Sequence, residues 1–233
     1  MRHPSLRYRF DGCLIYIHHA IYHYENYFYD FLDYVNIYIS FLTELNDMAT
    51  NAFVALDFET ANYKRTSICS VGMVKVVDNQ LTETFYTLVN PKDYFSPQNI
   101  RIHGIHQNDV QDAPDFAYVY PYMMQFIDDL PVVAHNAAFD MSVLHASIQA
   151  ANMQTPPMTY FCSYQLSKRT VASKRHGLKH MMSHFKLDFH GHHDALNDAK
   201  ACAMITYRLL KHYPSLENVL QIYGKQLTDK DSL

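Results

Sequence analysis

Phe53-Val54-Ala55-Leu56-Asp57-Phe58-Glu59-Thr60 is a short apolar run that ends in two carboxylates two residues apart. An apolar run of this length has the pattern of a buried strand. Side chains along a strand alternate between faces, so Asp57 and Glu59 point to the same side. Two like charges at the end of a buried strand repel each other and lose hydration, a cost that a cation between them would offset. The alternative is a half-buried strand that ends in two solvated acids. This stretch by itself leaves both readings open.

Outward from this strand, the elements follow in a regular order. Residues 68–77 and 81–89 read as two further strands joined by Asp78-Asn79-Gln80, a short polar link that suits an antiparallel hairpin. Asn90-Pro91 closes this meander, and residues 92–112 read as loop. Helical apolar spacing follows over 115–128, then a short buried strand at 132–134 and a helix over 137–151. Beyond Pro156-Pro157, residues 159–162 read as a last strand. Helices follow near 163–169 and 177–185, and a long Ala-rich one over 194–211. Meander strands followed by alternating strands and helices predict an α/β domain with a central mixed five-stranded sheet flanked by helices.

Composition narrows the class. With 233 residues and 48% hydrophobic content, the chain can bury a real core. A net charge of -4 gives no overall basic footprint and argues against a nucleic-acid coat protein. The four cysteines, Cys13, Cys69, Cys162 and Cys202, form no CxxC pair. Free thiols in a reducing cytoplasm are therefore expected rather than a zinc ribbon or disulfide framework. No run of about 18 uncharged apolar residues is present, so no transmembrane helix is expected.

Residues 1–47 differ from the rest, with 8 of the 19 tyrosines, no lysine, one Val and one Ala. They read either as an aromatic helical extension or as residues upstream of a working start at Met48, and we favour the second. The expected domains are thus an extension over 1–47, a working domain over 48–213 and a C-terminal tail over 214–233.

Two further clusters carry chemistry. In Ala134-His135-Asn136-Ala137-Ala138-Phe139-Asp140 a buried strand runs into a helix, with Asp140 near the helix start. Taken alone, that acid reads as a dipole partner and Asn136 as an N-cap. In His193-Asp194-Ala195-Leu196-Asn197-Asp198-Ala199, Asp198 opens a helix whose small residues let it lie close to a sheet. His193 falls on the preceding loop, free to swing toward Asp198. The run His190-Gly191-His192-His193-Asp194 also matches the HxHxD part of a zinc-hydrolase motif, but Ala195 stands where its next histidine belongs.

Together these pieces resemble the DEDDh 3'-5' exonucleases, the DnaQ-like group that includes the proofreading epsilon subunit of bacterial DNA polymerase III. The resemblance rests on Asp57-Phe58-Glu59-Thr60, Ile102-His103-Gly104-Ile105, His135 through Asp140 and His193 through Ala199, in the family's order, over about residues 52–212. It implies a ribonuclease H-like fold and hydrolysis of phosphodiesters from the 3' end of DNA, single-stranded or frayed, with release of nucleoside monophosphates. RNA trimming is the alternative within the family, and a polymerase-associated docking module the alternative outside it.

The resemblance further implies two Mg²⁺ or Mn²⁺ ions held by Asp57, Glu59, Asp140 and Asp198, with His193 as general base. Phe58, Thr60, His103, Gly104, Ile105, Asn136 and Phe139 would contact substrate, and Glu59 with backbone amides would recognise the terminal 3'-hydroxyl. Oxygen-only ligands suit such hard cations, and two of them can activate water and stabilise both attacking and leaving oxygens. A near-neutral pKa suits histidine to the proton transfer. Between Asp140 and Asp188 there is no acid, while Lys168, Arg169, Lys174, Arg175, Lys179 and Lys186 all occur. That basic stretch reads as a solvated face or as a flank for the phosphate backbone, with Lys174 and Arg175 as its substrate contacts. Nucleic acid and a separate DNA polymerase subunit are the expected partners.

Overall fold

The computed structural model describes the backbone of residues 7–10 and 13–16, and residues 51–188 and 191–228 in full. Met1–Met48 and Ala49–Leu233 are separate compact units. In the first, β1 (Arg7–Phe10) and β2 (Cys13–Tyr16) pair antiparallel, with Arg7 opposite Tyr16. These eight residues are strands, which corrects the helical reading of this part of the extension. Their aromatic and β-branched content favours a pleated chain. The remainder of that expectation, including a start at Met48, lies outside the described residues.

The second unit is built on a six-stranded mixed sheet in the order β5-β4-β3-β6-β7-β8. Its first three strands, β3 (Phe53–Thr60), β4 (Ile68–Val77) and β5 (Gln80–Leu88), form the antiparallel meander. Asp78 and Asn79, with φ of 50° and 64°, make the two-residue turn between β4 and β5. Left-handed backbone at both positions matches the right-handed strand twist, and Asp and Asn tolerate it. β6 (Val132–Ala134) runs parallel to β3, and β7 (Met158–Cys162) parallel to β6.

The sixth strand is a correction. Residues 214–228 are not a tail: α7 (Leu216–Tyr223) is followed by β8 (Lys225–Leu227), which pairs antiparallel with β7. Leu216, Val219 and Leu227 are buried, so the segment belongs to the core despite its polar residues. Residues 92–112 are also more ordered than a loop. They hold α1 (Pro97–His103), capped by Ser96 and Gly104, and a 3-10 turn over Gln107–Val110. These two elements are too short for a periodic apolar signal, and α1 buries no residue fully.

Helices cover both faces of the sheet. Along β3, Val54, Leu56 and Phe58 face a core shared with α2 (Phe116–Ile127) and α3 (Ala137–Ala150). Phe53 and Ala55 face the opposite core, shared with α4 (Ser163–Thr170), α5 (Leu178–His184) and α6 (Ala195–Leu210). The strand period therefore delivers Asp57 and Glu59 to the face that α6 covers. Gly72 of β4 sits opposite Asp57, and a Cβ there would overlap the Ala195 carbonyl and the Leu196 amide. Only glycine lets the start of α6 lie on the sheet at this point. That close approach carries Asp198 to the end of β3.

Candidate active site

The carboxylates of Asp57, Glu59 and Asp198 offer oxygens that all lie within 4.8 Å of one another. Asp140 joins them from the first turn of α3. The β3–β6 ladder ends at Ala55 and Val133, so the later amides of β3 are open on that side. Phe58 donates its N–H to Asp140 Oδ1 at 3.3 Å. Asn136 enters α3 with φ 85° and makes no side-chain cap bond, so it turns the chain rather than capping the helix.

Four acids in so small a space are mutually unfavourable. Burial, reinforced by the charges of Asp140, Glu59 and Asp198, holds Asp57 well above the usual carboxylate range. Burial followed by repulsion from Asp198 pushes Glu59 up to about 8. Burial raises Asp140 to about 7, although the Phe58 amide and the Arg65 charge pull it back down. All donors in the Asp57, Glu59 and Asp198 group are hard carboxylate oxygens. That set fits a divalent metal ion, whose charge would offset the repulsion.

The two histidines before α6 contact Asp198 differently. His192 Nδ1 lies 3.0 Å from Asp198 Oδ1, whereas His193 meets Asp198 Oδ2 through its backbone N–H, at 3.2 Å. His193 has φ 68°, and its ring stacks on that of His192 with centroids 3.7 Å apart. The imidazole that lies against Asp198 is thus that of His192, where that of His193 was expected. His193 lines the same cavity, and burial lowers its pKa below the ordinary value. His192, His193 and Asp198 also form a second ligand-capable group. Of these three, only His192 is a specified position of the HxHxD pattern.

Two adjoining cavities, each of about 280 Å³, meet at this site. The acidic one is lined by Asp57, Glu59, His135, Asn136, Asp140, Leu178, His192, His193 and Asp198. The other is lined by Thr60, Asn62, Tyr63, Lys64, Arg65, Asn99, Ile102 and His103. Phe58, Glu59 and Phe139 border both. His103 and Asn99 moor α1 to the Thr60 carbonyl, at 3.2 and 2.7 Å, and the Ile105 amide donates to His103 Nδ1 at 3.0 Å.

Sequence reasoning placed Phe58, Thr60, His103, Asn136 and Phe139 on these walls. Gly104 does not line them: it ends α1 with φ 76°. Ile105 instead packs on Ala61, Cys69 and Val110. Lys174 and Arg175 are exposed and line neither cavity. Their loop is nevertheless tied to the site. His135 Nε2 donates to the His176 carbonyl at 2.8 Å while Nδ1 accepts from Ser163 Oγ at 2.9 Å. Burial lowers His135 to about 4, so this neutral tautomer persists across ordinary pH. Asn62, Tyr63, Lys64, Arg65, Asn99 and His192 were missed. Their only signal in sequence was closeness to Glu59, His103 and His193, and closeness does not reveal which way a loop faces.

A sequence profile for a family described as exonuclease matches residues 54–206. The chain belongs to that exonuclease family. The epsilon subunit of DNA polymerase III from Escherichia coli K12 is 28% identical over 166 residues, covering 65% of this chain and 68% of that protein. A PolC-type DNA polymerase III from Caldanaerobacter subterraneus is 31% identical over 162 residues, 68% of this chain. Against that polymerase the chain spans only 12% of the length. Among solved structures, exonuclease X in complex with 5' overhanging duplex DNA superposes with a TM-score of 0.63 at 24% identity, covering 73% of this chain and 98% of that one. This likeness bears out the ribonuclease H-like fold, with six strands where five were expected. No described helix is long and apolar enough to cross a membrane.

Proposed function

We propose that this exonuclease domain removes nucleotides from the 3' end of DNA, single-stranded or frayed, by metal-dependent hydrolysis that releases nucleoside monophosphates. The observation that carries the reading is the convergence of Asp57, Glu59, Asp140 and Asp198 at the end of one strand, beside a nucleotide-sized cavity. Asp57, Glu59 and Asp198 would hold one ion and Asp57 with Asp140 the second, with Mg²⁺ or Mn²⁺ suited to the oxygen-only donors. When bound, such ions make water nucleophilic near neutral pH and offset charge on the phosphate and the leaving oxygen. His193, whose pKa burial lowers, would take the water's proton on its imidazole. Phe58, Phe139 and His103, which line one cavity, would flank the last nucleotide. Glu59 borders both cavities, a position suited to reading the 3'-hydroxyl. Its relative in E. coli is a polymerase subunit, which supports a separate DNA polymerase chain as partner.

The test is to incubate the protein with oligonucleotides labelled at the 5' end, in DNA and RNA forms, with Mg²⁺ or Mn²⁺. A ladder shortening from the 3' end is expected, faster on DNA, and absent in EDTA. Asp57→Ala should lower the rate by about a thousandfold or more, since it strips charge stabilisation from the reacting phosphate. Faster cutting of RNA would convert the reading to RNA trimming, and activity in EDTA would refute the mechanism.

A further inference from the structure

Between β3 and β4 the chain turns through residues 61–67, and that turn is pinned from inside by two buried side chains. Asn62 accepts the Lys64 amide at 2.9 Å and donates to the Tyr94 carbonyl at 2.7 Å. Ser67 Oγ donates to the Lys64 carbonyl at 2.7 Å, and the Ala61 amide donates to the Ser67 carbonyl at 2.7 Å. What the pinned turn presents outward is Tyr63, Lys64, Arg65 and Thr66.

The two cations differ in what balances them. Lys64 Nζ pairs with Asp93 Oδ2 at 2.8 Å. Arg65 has no carboxylate at ion-pair distance among the described residues, although four acids gather nearby. Its guanidinium lies 4.5 Å from the centre of the Phe139 ring. Phe139 is the wall between the acidic cavity and the adjoining one, and Arg65 lines the latter. A guanidinium fixed over an aromatic face keeps its edge donors free, and their fork matches a phosphate better than a neutral base.

We propose that Arg65 binds a phosphate of the substrate strand close to its 3' end, where the strand passes from one cavity to the other. The inference rests on the nuclease reading above. Its chemistry is that of a phosphodiester, either the one that is cut or the next along the strand.

Two measurements on the same proteins test it. Binding of a 5'-labelled oligothymidylate is followed by fluorescence anisotropy in EDTA, at several salt concentrations. Cleavage with Mn²⁺ is followed on that oligonucleotide and on the p-nitrophenyl ester of thymidine 5'-monophosphate, which carries a single phosphodiester. Arg65→Ala should weaken oligonucleotide binding about tenfold, a loss typical of one charge-assisted contact. It should also reduce the salt slope by about 0.7, the value for one contact to a single strand. Arg65→Lys should recover the slope but not the full affinity. Lys211→Ala, which removes a cation at the far end of α6, should change neither.

Reduced cleavage of the ester as well would place Arg65 on the phosphate that is cut, and a loss confined to the oligonucleotide on the next one. Wild-type affinity and salt slope in Arg65→Ala would overturn the inference while leaving the nuclease reading intact. Wild-type protein that neither binds nor cuts would overturn that reading, and this inference with it.

Discussion

Asp57 and Glu59 stand on a strand paired to β4 from Phe53 to Thr60, whereas His192 and His193 stand on a connection that meets the site through Asp198. On the strand, backbone pairing fixes position and the two-residue period fixes direction, so both carboxylates are aimed before any ligand arrives. On the connection, a left-handed residue and two hydrogen bonds to one carboxylate set which ring touches Asp198. Two of the four acids are built into the sheet, and the proposed proton acceptor is delivered by the entry to α6. Preorganised charge on a rigid element is what electrostatic catalysis requires.

After the loss expected for Asp57→Ala, the largest effect separates the two histidines. His193→Ala should lower kcat by at least about a hundredfold, the ordinary contribution of a general base. His192→Ala should cost less than about tenfold, the loss of one hydrogen bond that steadies Asp198. Steady-state rates across pH would check both. If the larger loss followed His192, the base would be the ring that touches Asp198, and the contrast between strand and connection would need redrawing.

A second experiment probes the carboxylate side. With Glu59 held near 8, Asp140 near 7 and Asp57 raised, the folded chain binds more protons than the unfolded one. Stability without cations is therefore full below about pH 4 and is lost as pH rises toward 8, by on the order of a few kcal/mol. Melting in EDTA should show Tm falling from pH 5 to pH 8. Added Mn²⁺ should reverse the fall, with a larger gain at pH 8 than at pH 5. A Tm that stayed flat in EDTA would mean that the acids do not oppose one another.

The smallest effect concerns the basic loop, which lines neither cavity but is tied to His135 through His176. Lys174→Glu combined with Arg175→Glu should raise KM severalfold and flatten its salt dependence, with kcat little changed. A Michaelis constant unaffected at every salt concentration would reduce this loop to a solvated face.

Much of this could be read from the residues alone. The run from Phe53 to Thr60 determined a buried strand with both acids on one side, because strand periodicity is local. Asp140 and Asp198 could be placed at helix starts, and four motifs in order carried the family. The segment after Gly224 could not be read, because pairing of β8 with β7 depends on a partner strand about 70 residues earlier. Likewise, α1 is too short for a periodic apolar signal, and its moorings reach Thr60, about 40 positions away.

Sequence alone determined which carboxylates exist and which way the strand aims two of them. Tertiary structure decided that α6 approaches over Gly72 to bring Asp198 among them, that the ring of His192 rather than that of His193 touches that acid, and that Arg65 stands over Phe139. The reason is physical: direction along a strand is set by neighbours in the chain, but approach between elements is set by the space that distant residues leave.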